Sequence, residues 1–156
     1  MHARLNFVKA APAGMAALGN LRALLAKGAL PSALIELVYL RVSQINGCAY
    51  CIDSHFHALV IAGEKVEKLA LVAVWREAVP MFSKEEQGAL AWTETVTQLS
   101  QGVPDSDFEA ASACFNEAEL AELTIAIGLM NAYNRLAISF RSPPESVRRL
   151  AAVAAT

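Results

Sequence analysis

The sequence predicts an all-α fold of about seven to eight helices in a single domain over 1–156. Three observations carry that expectation. Apolar residues recur three and four apart through most of the chain, as one face of a helix requires. No stretch sustains the alternation of a half-buried strand. The periodic stretches are also punctuated by helix signals, with glycines after them and Ser, Asn or Pro before them. A chain of 156 residues buries roughly 70% of the surface it exposes when unfolded, enough for a real core.

The first helix is expected over 15–27, where Leu18, Leu21, Leu24 and Leu25 share a face and Gly28 stops the run. Pro31 suits the first turn of the next, with its fixed φ and no N–H to satisfy. That helix, 32–45, carries Leu34, Leu37, Val38, Leu40 and Val42 nearly all round it and should be buried on most sides. Glu36 lies within it, and a carboxylate in such a helix needs a partner or a role. Asn46-Gly47 breaks the helix, and Asn46 is expected to cap another over 48–62, which Gly63 ends. A helix over 66–78 stops at Val79-Pro80. Ser83, with Glu86 three residues on, is a capping box opening a helix to about Gln98. Asp105 or Ser106 caps a short helix to Phe115. Asn116 caps the next, with Glu117 and Glu119 in the first turn where the dipole favours them, and it reaches about Phe140. After the break at Arg141-Ser142-Pro143-Pro144 a last helix covers 145–153. A faint echo links Glu36-Leu37, Asn46 and Tyr50 to Glu122-Leu123, Asn131 and Tyr133, a hint of paired helical hairpins.

Composition narrows the function classes. At 55% hydrophobic and 18% charged, the chain is more apolar than a compact monomer of this size needs. The surplus is expected at subunit interfaces. A net charge of -2 with scattered basic residues predicts no electrostatic affinity for nucleic acid. A membrane span would need about 20 mostly uncharged apolar residues. The nearest stretch, 120–140, is interrupted by Glu122, Asn131, Asn134 and Arg135. The first fifteen residues lack the continuous apolar region of a signal peptide, so a cytoplasmic protein is expected. Three cysteines in that setting argue against a disulfide framework and turn the CxxC pair toward catalysis or metal.

The chemistry concentrates in Cys48-Ala-Tyr-Cys51-Ile-Asp-Ser-His55. On one helix, residues 48, 51 and 55 share a face. A dithiol at this spacing can cycle between reduced and disulfide forms. The opening turn of the helix would make Cys48 the more acidic thiol. The neighbour argument favours Cys51, because His55 one turn on can take its proton, and Glu36 could hold that imidazole in the right tautomer. Sequence does not rank the two. Closing the bridge must distort the first turn, since Cβ atoms three apart on a helix are about 5–6 Å apart and a disulfide wants about 3.8 Å.

Other readings compete. The pair could be two buried thiols with no function. Cys48, Cys51, His55 and Glu36 are all zinc-ligand types, although structural zinc sites usually gather ligands from two loop-rich segments. A c-type haem needs His directly after the second Cys, where Ile52 stands. Cys114 is expected to pack in the core and His57 to lie at the surface or an interface. His2 should be disordered, Tyr50 should face away from the 48/51/55 stripe and pack, and Asp53 and Ser54 should be helix surface. Trp75 and Trp92 are expected in the core or an interface.

Glu36, eleven residues, Cys48, two residues, Cys51, three residues, His55, with Ser43 and Asn46 just before, resembles the AhpD-like alkylhydroperoxidases of the carboxymuconolactone decarboxylase superfamily. The detailed likeness covers 31–63, and a looser one extends over 122–143. The resemblance implies an AhpD-like helical bundle that assembles as a homo-trimer or homo-hexamer, with each active site near a subunit interface. It implies reduction of alkyl hydroperoxides or hydrogen peroxide, with Cys51 peroxidatic, Cys48 resolving, and Glu36 and His55 as proton relay. No metal or other cofactor is required. The partners it implies are the peroxide and an external dithiol, lipoyl-bearing or thioredoxin-like. Tyr50 departs from the pattern, standing where the best-known members have a second histidine. The CxxC pair argues against lactone decarboxylation, since that branch lacks it. The alternative reading from a different class is a non-enzymatic redox sensor using the same thiols, and a third is a helical assembly protein whose thiols are merely buried.

Overall fold

The computed structural model describes residues 3–154. His2, expected to be disordered, lies outside them. The described residues contain nine α-helices and no strand. They are α1 (Phe7–Ala10), α2 (Pro12–Leu25), α3 (Ser32–Asn46), α4 (Ala49–Ile61), α5 (Val66–Leu71), α6 (Lys84–Thr97), α7 (Asp105–Ser112), α8 (Glu117–Ser139) and α9 (Glu145–Val153). Single 3-10 stretches cover Val72–Glu77, Val79–Met81 and Leu99–Gln101. None of the helices is long and apolar enough to cross a membrane.

The apolar girth of α3 makes it the axis of the fold. It packs against α4, α6 and α8. Leu34, Ile35, Val38, Tyr39 and Val42 face one cluster with Leu123, Ile127 and Met130 of α8. Leu37 and Leu40 face another with Leu59, Leu69, Trp75 and Leu90. Each of these large side chains contributes on the order of 1.5–3 kcal/mol by leaving water. Trp75 and Trp92 are both buried.

Local chemistry sets most boundaries. The capping box at Ser83 and Glu86 is formed in both directions, and Asn116 with Glu119 forms a second. α8 ends in a Schellman arrangement, Ser142 N–H to Ala137 C=O and Arg141 N–H to Ile138 C=O, with Arg141 left-handed at φ 55.

Four expectations change. Residues 7–10, not anticipated as helical, form α1 with Asn6 as its cap. The helix over 66–78 stops at Leu71 and continues as 3-10 turns kinked at Val74. The tighter repeat puts Val72 and Trp75 on one buried face. It also brings Trp75 and Arg76 onto Glu94 of α6, which Arg41 of α3 meets as well. The short helix before Asn116 ends at Ser112, with Pro104 and not Asp105 or Ser106 at its N-cap. Cys114, beyond that end, is exposed instead of buried. It lies against Gly88 of α6, where a Cβ would come within 2.7 Å of its sulfur.

Candidate active site

The site is built at the junction of α3 and α4. Asn46 does not cap α4: it is the last residue of α3. Gly47 follows in the left-handed region at φ 69, a conformation that favours glycine. The chain therefore turns within one residue, and Cys48 N–H returns to Ser43 C=O at 2.9 Å. Cys48 becomes the N-cap of α4, its Sγ accepting from the Cys51 N–H at 3.4 Å. A thiol in the place usually held by Ser, Thr, Asp or Asn receives the unpaired N–H groups of the first turn. Because Cys48 lies outside the helix, the helical spacing of the two sulfurs does not bind it.

Cys48, Cys51 and His55 are 1%, 4% and 5% exposed. Glu36 reaches them from the first half of α3. Its Oε2 lies 2.7 Å from His55 Nδ1, and its Oε1 accepts from Arg22 of α2 at 3.1 Å. Burial pushes the Glu36 carboxyl upward, but the His55 hydrogen bond and charge and the Arg22 guanidinium outweigh it, so it lies below its ordinary value. With Nδ1 committed to Glu36, Nε2 is the nitrogen left to exchange a proton. Tyr39, one turn after Glu36, sets its ring 5.2 Å from the His55 ring. Burial pushes its hydroxyl up to about 12.

Beneath the thiols lies a buried amide network from α3 and α8. Asn134 donates to Ser43 Oγ at 3.1 Å and accepts from Asn46 at 2.9 Å, and Asn46 also donates to Asn131 at 3.0 Å. Ser43 and Asn134 are fully buried. Replacing Asn134 by Ala leaves the Ser43 and Asn46 groups short of partners, at a cost of about 1–3 kcal/mol. A lowered urea midpoint with an unchanged slope is the expected readout.

The two thiols differ in kind. Cys48 is held below the usual thiol range, first by the Cys51 thiol and then, against burial, by the N–H groups of Cys51 and Tyr50 and the Asn134 amide. Cys51 is pushed up by the Cys48 thiol and by burial. Cys51 nevertheless holds the better access. It lines a cleft of about 200 Å³ together with His55, Tyr50, Tyr133 and Arg22, walled by Phe7, Val8, Met15, Met130 and Ala137. Cys48 is not among the lining residues.

All four residues singled out from sequence thus meet here, Cys51 and His55 lining the cleft, Glu36 behind His55 and Cys48 behind Cys51. Tyr50 does not face away as expected, but borders the cleft beside Cys51. His57 is exposed, and Asp53, expected as plain surface, accepts from the N–H and Oγ of Ser146 and so fastens α9. Arg22, Tyr39 and Asn134 escaped the sequence reading. Only Asn134 carried a usable signal, a polar residue inside an apolar run, as at Glu36. Among the described residues no three His, Cys, Asp or Glu side chains converge as a metal-binding group.

Residues 12–95 match the model of the carboxymuconolactone decarboxylase family. The chain is 30% identical over 140 residues to the uncharacterized protein YdfG of Bacillus subtilis, covering 89% of this chain and 95% of that one. A crystal structure from Agrobacterium tumefaciens, of a protein of unknown function assigned to antioxidant defence as AhpD, superimposes with a TM-score of 0.87 at 35% identity. That match covers 92% of this chain and 98% of the other. The debrominase Bmp8 shares the fold at 17% identity and a TM-score of 0.80, over 92% of this chain and 76% of its own.

Proposed function

Because the chain belongs to the carboxymuconolactone decarboxylase family, we propose that its cleft is the active site of a thiol-dependent peroxidase that reduces alkyl hydroperoxides or hydrogen peroxide. The observation that carries this reading is Cys51 lining a cleft with a His55 that Glu36 holds at 2.7 Å, while a second thiol waits behind it.

Cys51 is the thiol a peroxide can reach, and its pKa is raised, so it needs a base. His55 takes the proton, and the anionic Glu36 stabilises the imidazolium. The Cys51 thiolate attacks the O–O bond and becomes a sulfenic acid, and the proton returns to the leaving alkoxide or hydroxide. Cys48, the more acidic thiol, then attacks as thiolate, releases water and leaves a Cys48–Cys51 disulfide. An external dithiol, lipoyl-bearing or thioredoxin-like, restores both thiols. Tyr50 and Tyr133 flank the cleft in place of a second imidazole, so proton traffic runs through His55 alone. Assembly as a homo-trimer or homo-hexamer is part of the same proposal, and it would cover some of the exposed apolar side chains, among them Leu24 at 69%, Ile61 at 87% and Leu150 at 71%.

The test is turnover. With peroxide and dithiothreitol in excess, peroxide should disappear over many protein equivalents. After stoichiometric peroxide alone, the peptide carrying both cysteines should lose the mass of two hydrogens. Peroxide loss that stops at one equivalent per chain would instead describe a redox sensor.

A further inference from the structure

The mouth of the cleft carries positive charge that the chain as a whole does not. Overall there are 13 Lys and Arg against 15 Asp and Glu. α8 is polarised, with Glu117, Glu119 and Glu122 toward its N-terminal end and Arg135 and Arg141 toward and beyond its C-terminal end. α7, packed near the start of α8, adds Asp105, Asp107 and Glu109. The cleft lies toward the other end, lined by Met130, Tyr133 and Ala137.

Four exposed cations gather there. Arg22 lines the cleft itself. Arg148 of α9 lines an adjoining recess of about 210 Å³ that shares Phe7, Val8 and Tyr50 with it. Arg4 is tied in beside them, its guanidinium donating to Ser139 C=O at 3.2 Å and its N–H to Phe140 C=O at 2.9 Å. Lys9 follows Val8 on α1. The carboxylates nearby are already engaged. Glu36 serves His55 and Arg22, Asp53 accepts from Ser146, and Glu145 is shared by Arg148 and Arg149. Arg22 and Arg148 are themselves the partners of two of these carboxylates; with Arg149, five cations stand against three carboxylates, and the rim keeps a positive excess.

We propose that this rim docks the reductant of the Cys48–Cys51 disulfide, and that the reductant is an acidic protein whose dithiol is flanked by Asp and Glu side chains. The proposal rests on the peroxidase reading for the disulfide's place in a cycle. The cleft's interior walls are apolar and suit an organic peroxide. Cations outside it meet whatever stays outside while a thiol reaches in. A donor thiolate attacks the Cys51 sulfur, the one that borders the cleft, forming a mixed disulfide and breaking the Cys48–Cys51 bond. Cys48 departs as a thiolate and takes a proton. The lowered pKa of Cys48 makes it the better leaving group. The second donor thiolate attacks its partner sulfur and releases Cys51, which is protonated in turn. Two electrons and two protons pass to the cysteine pair, and the donor leaves as a disulfide.

The experiment uses the full chain oxidised with diamide, so that it does not depend on any reaction with peroxide. Two synthetic peptides share Cys-Gly-Pro-Cys, one flanked by Asp and Glu and the other by Asn and Gln. The rate of protein disulfide reduction is followed with each. The acidic peptide should be faster by about 10-fold or more at low salt, with the ratio falling toward one as salt screens the rim. In the Lys9→Glu, Arg148→Glu double variant the ratio should drop below that of the parent. Equal rates for the two peptides at low salt would overturn the proposal, as would a salt-sensitive ratio that the double variant leaves untouched. A parent protein that forms no disulfide with peroxide, yet shows the charge-dependent ratio after diamide, would refute the peroxidase reading and leave the acidic docking surface standing.

Discussion

Cys51→Ser is expected to abolish catalytic peroxide consumption, with residual turnover at least about 10³-fold below the parent, because the hydroxyl that replaces the thiol is a weak nucleophile at its free pKa. Cys48→Ser should behave differently. It retains the reachable thiol, consumes one equivalent of peroxide per chain, and stops at a sulfenic acid that dimedone traps. The two variants separate acidity from access. The Cys51 thiol, and after it the N–H groups that Cys48 meets as N-cap, give Cys48 the lower pKa and make it the candidate nucleophile on acidity alone. Cys51 borders the cleft and Cys48 does not. A sulfenic acid that forms in Cys51→Ser and not in Cys48→Ser would reverse the assignment and make the helix-capping thiol the one that meets peroxide.

What the sequence disclosed about fold and site follows from how local each cause is. Ser83 and Asn116 were readable as caps because the side chain, the N–H it accepts and the returning glutamate lie within four residues. Cys48 was not, since a thiol is an unusual cap and the decisive event is the left-handed turn at Gly47. Tyr50 borders the cleft because the cleft spans a wider arc of α4 than the 51/55 stripe, taking in Tyr50 and Ser54 beside Cys51 and His55. Trp75 and Arg76, just past the kink at Val74, meet Glu94 about twenty residues away in sequence, and no window of local propensity contains that contact. Glu36 could be singled out because its charge conflicted with its helix. Arg22, its second partner, conflicted with nothing on α2 and became visible only once α2 and α3 were packed. Asn134 held the same kind of conflict as Glu36. Its helix is interrupted by several polar residues, which hid the one whose burial is complete.

The Glu36–His55 pair should show the second large effect. His55→Ala removes the base beside Cys51 and is expected to slow the reaction with peroxide by about 10²–10⁴-fold. Glu36→Gln keeps a hydrogen-bond acceptor for Nδ1 but not the charge, so the ring stays oriented while the imidazolium loses its anionic partner. A smaller loss, about 10–100-fold, is expected. The pH dependence distinguishes orientation from charge. Alkylation of Cys51 by iodoacetamide should shift to higher pH in Glu36→Gln, because the thiol must then give up its proton without a stabilised imidazolium to receive it. An unshifted profile with a slower plateau would mean that Glu36 acts by orientation alone. Stability follows the same group with a definite sign. The Glu36 carboxyl lies below its ordinary value when folded, so its contribution is present above the unfolded pKa and is lost as pH falls through the folded one. The parent should therefore lose more stability on acidification than Glu36→Gln, and the gap between their thermal midpoints should close as the carboxylate is protonated. A gap that stayed constant through that range would place the stabilisation in packing around the side chain and not in its charge.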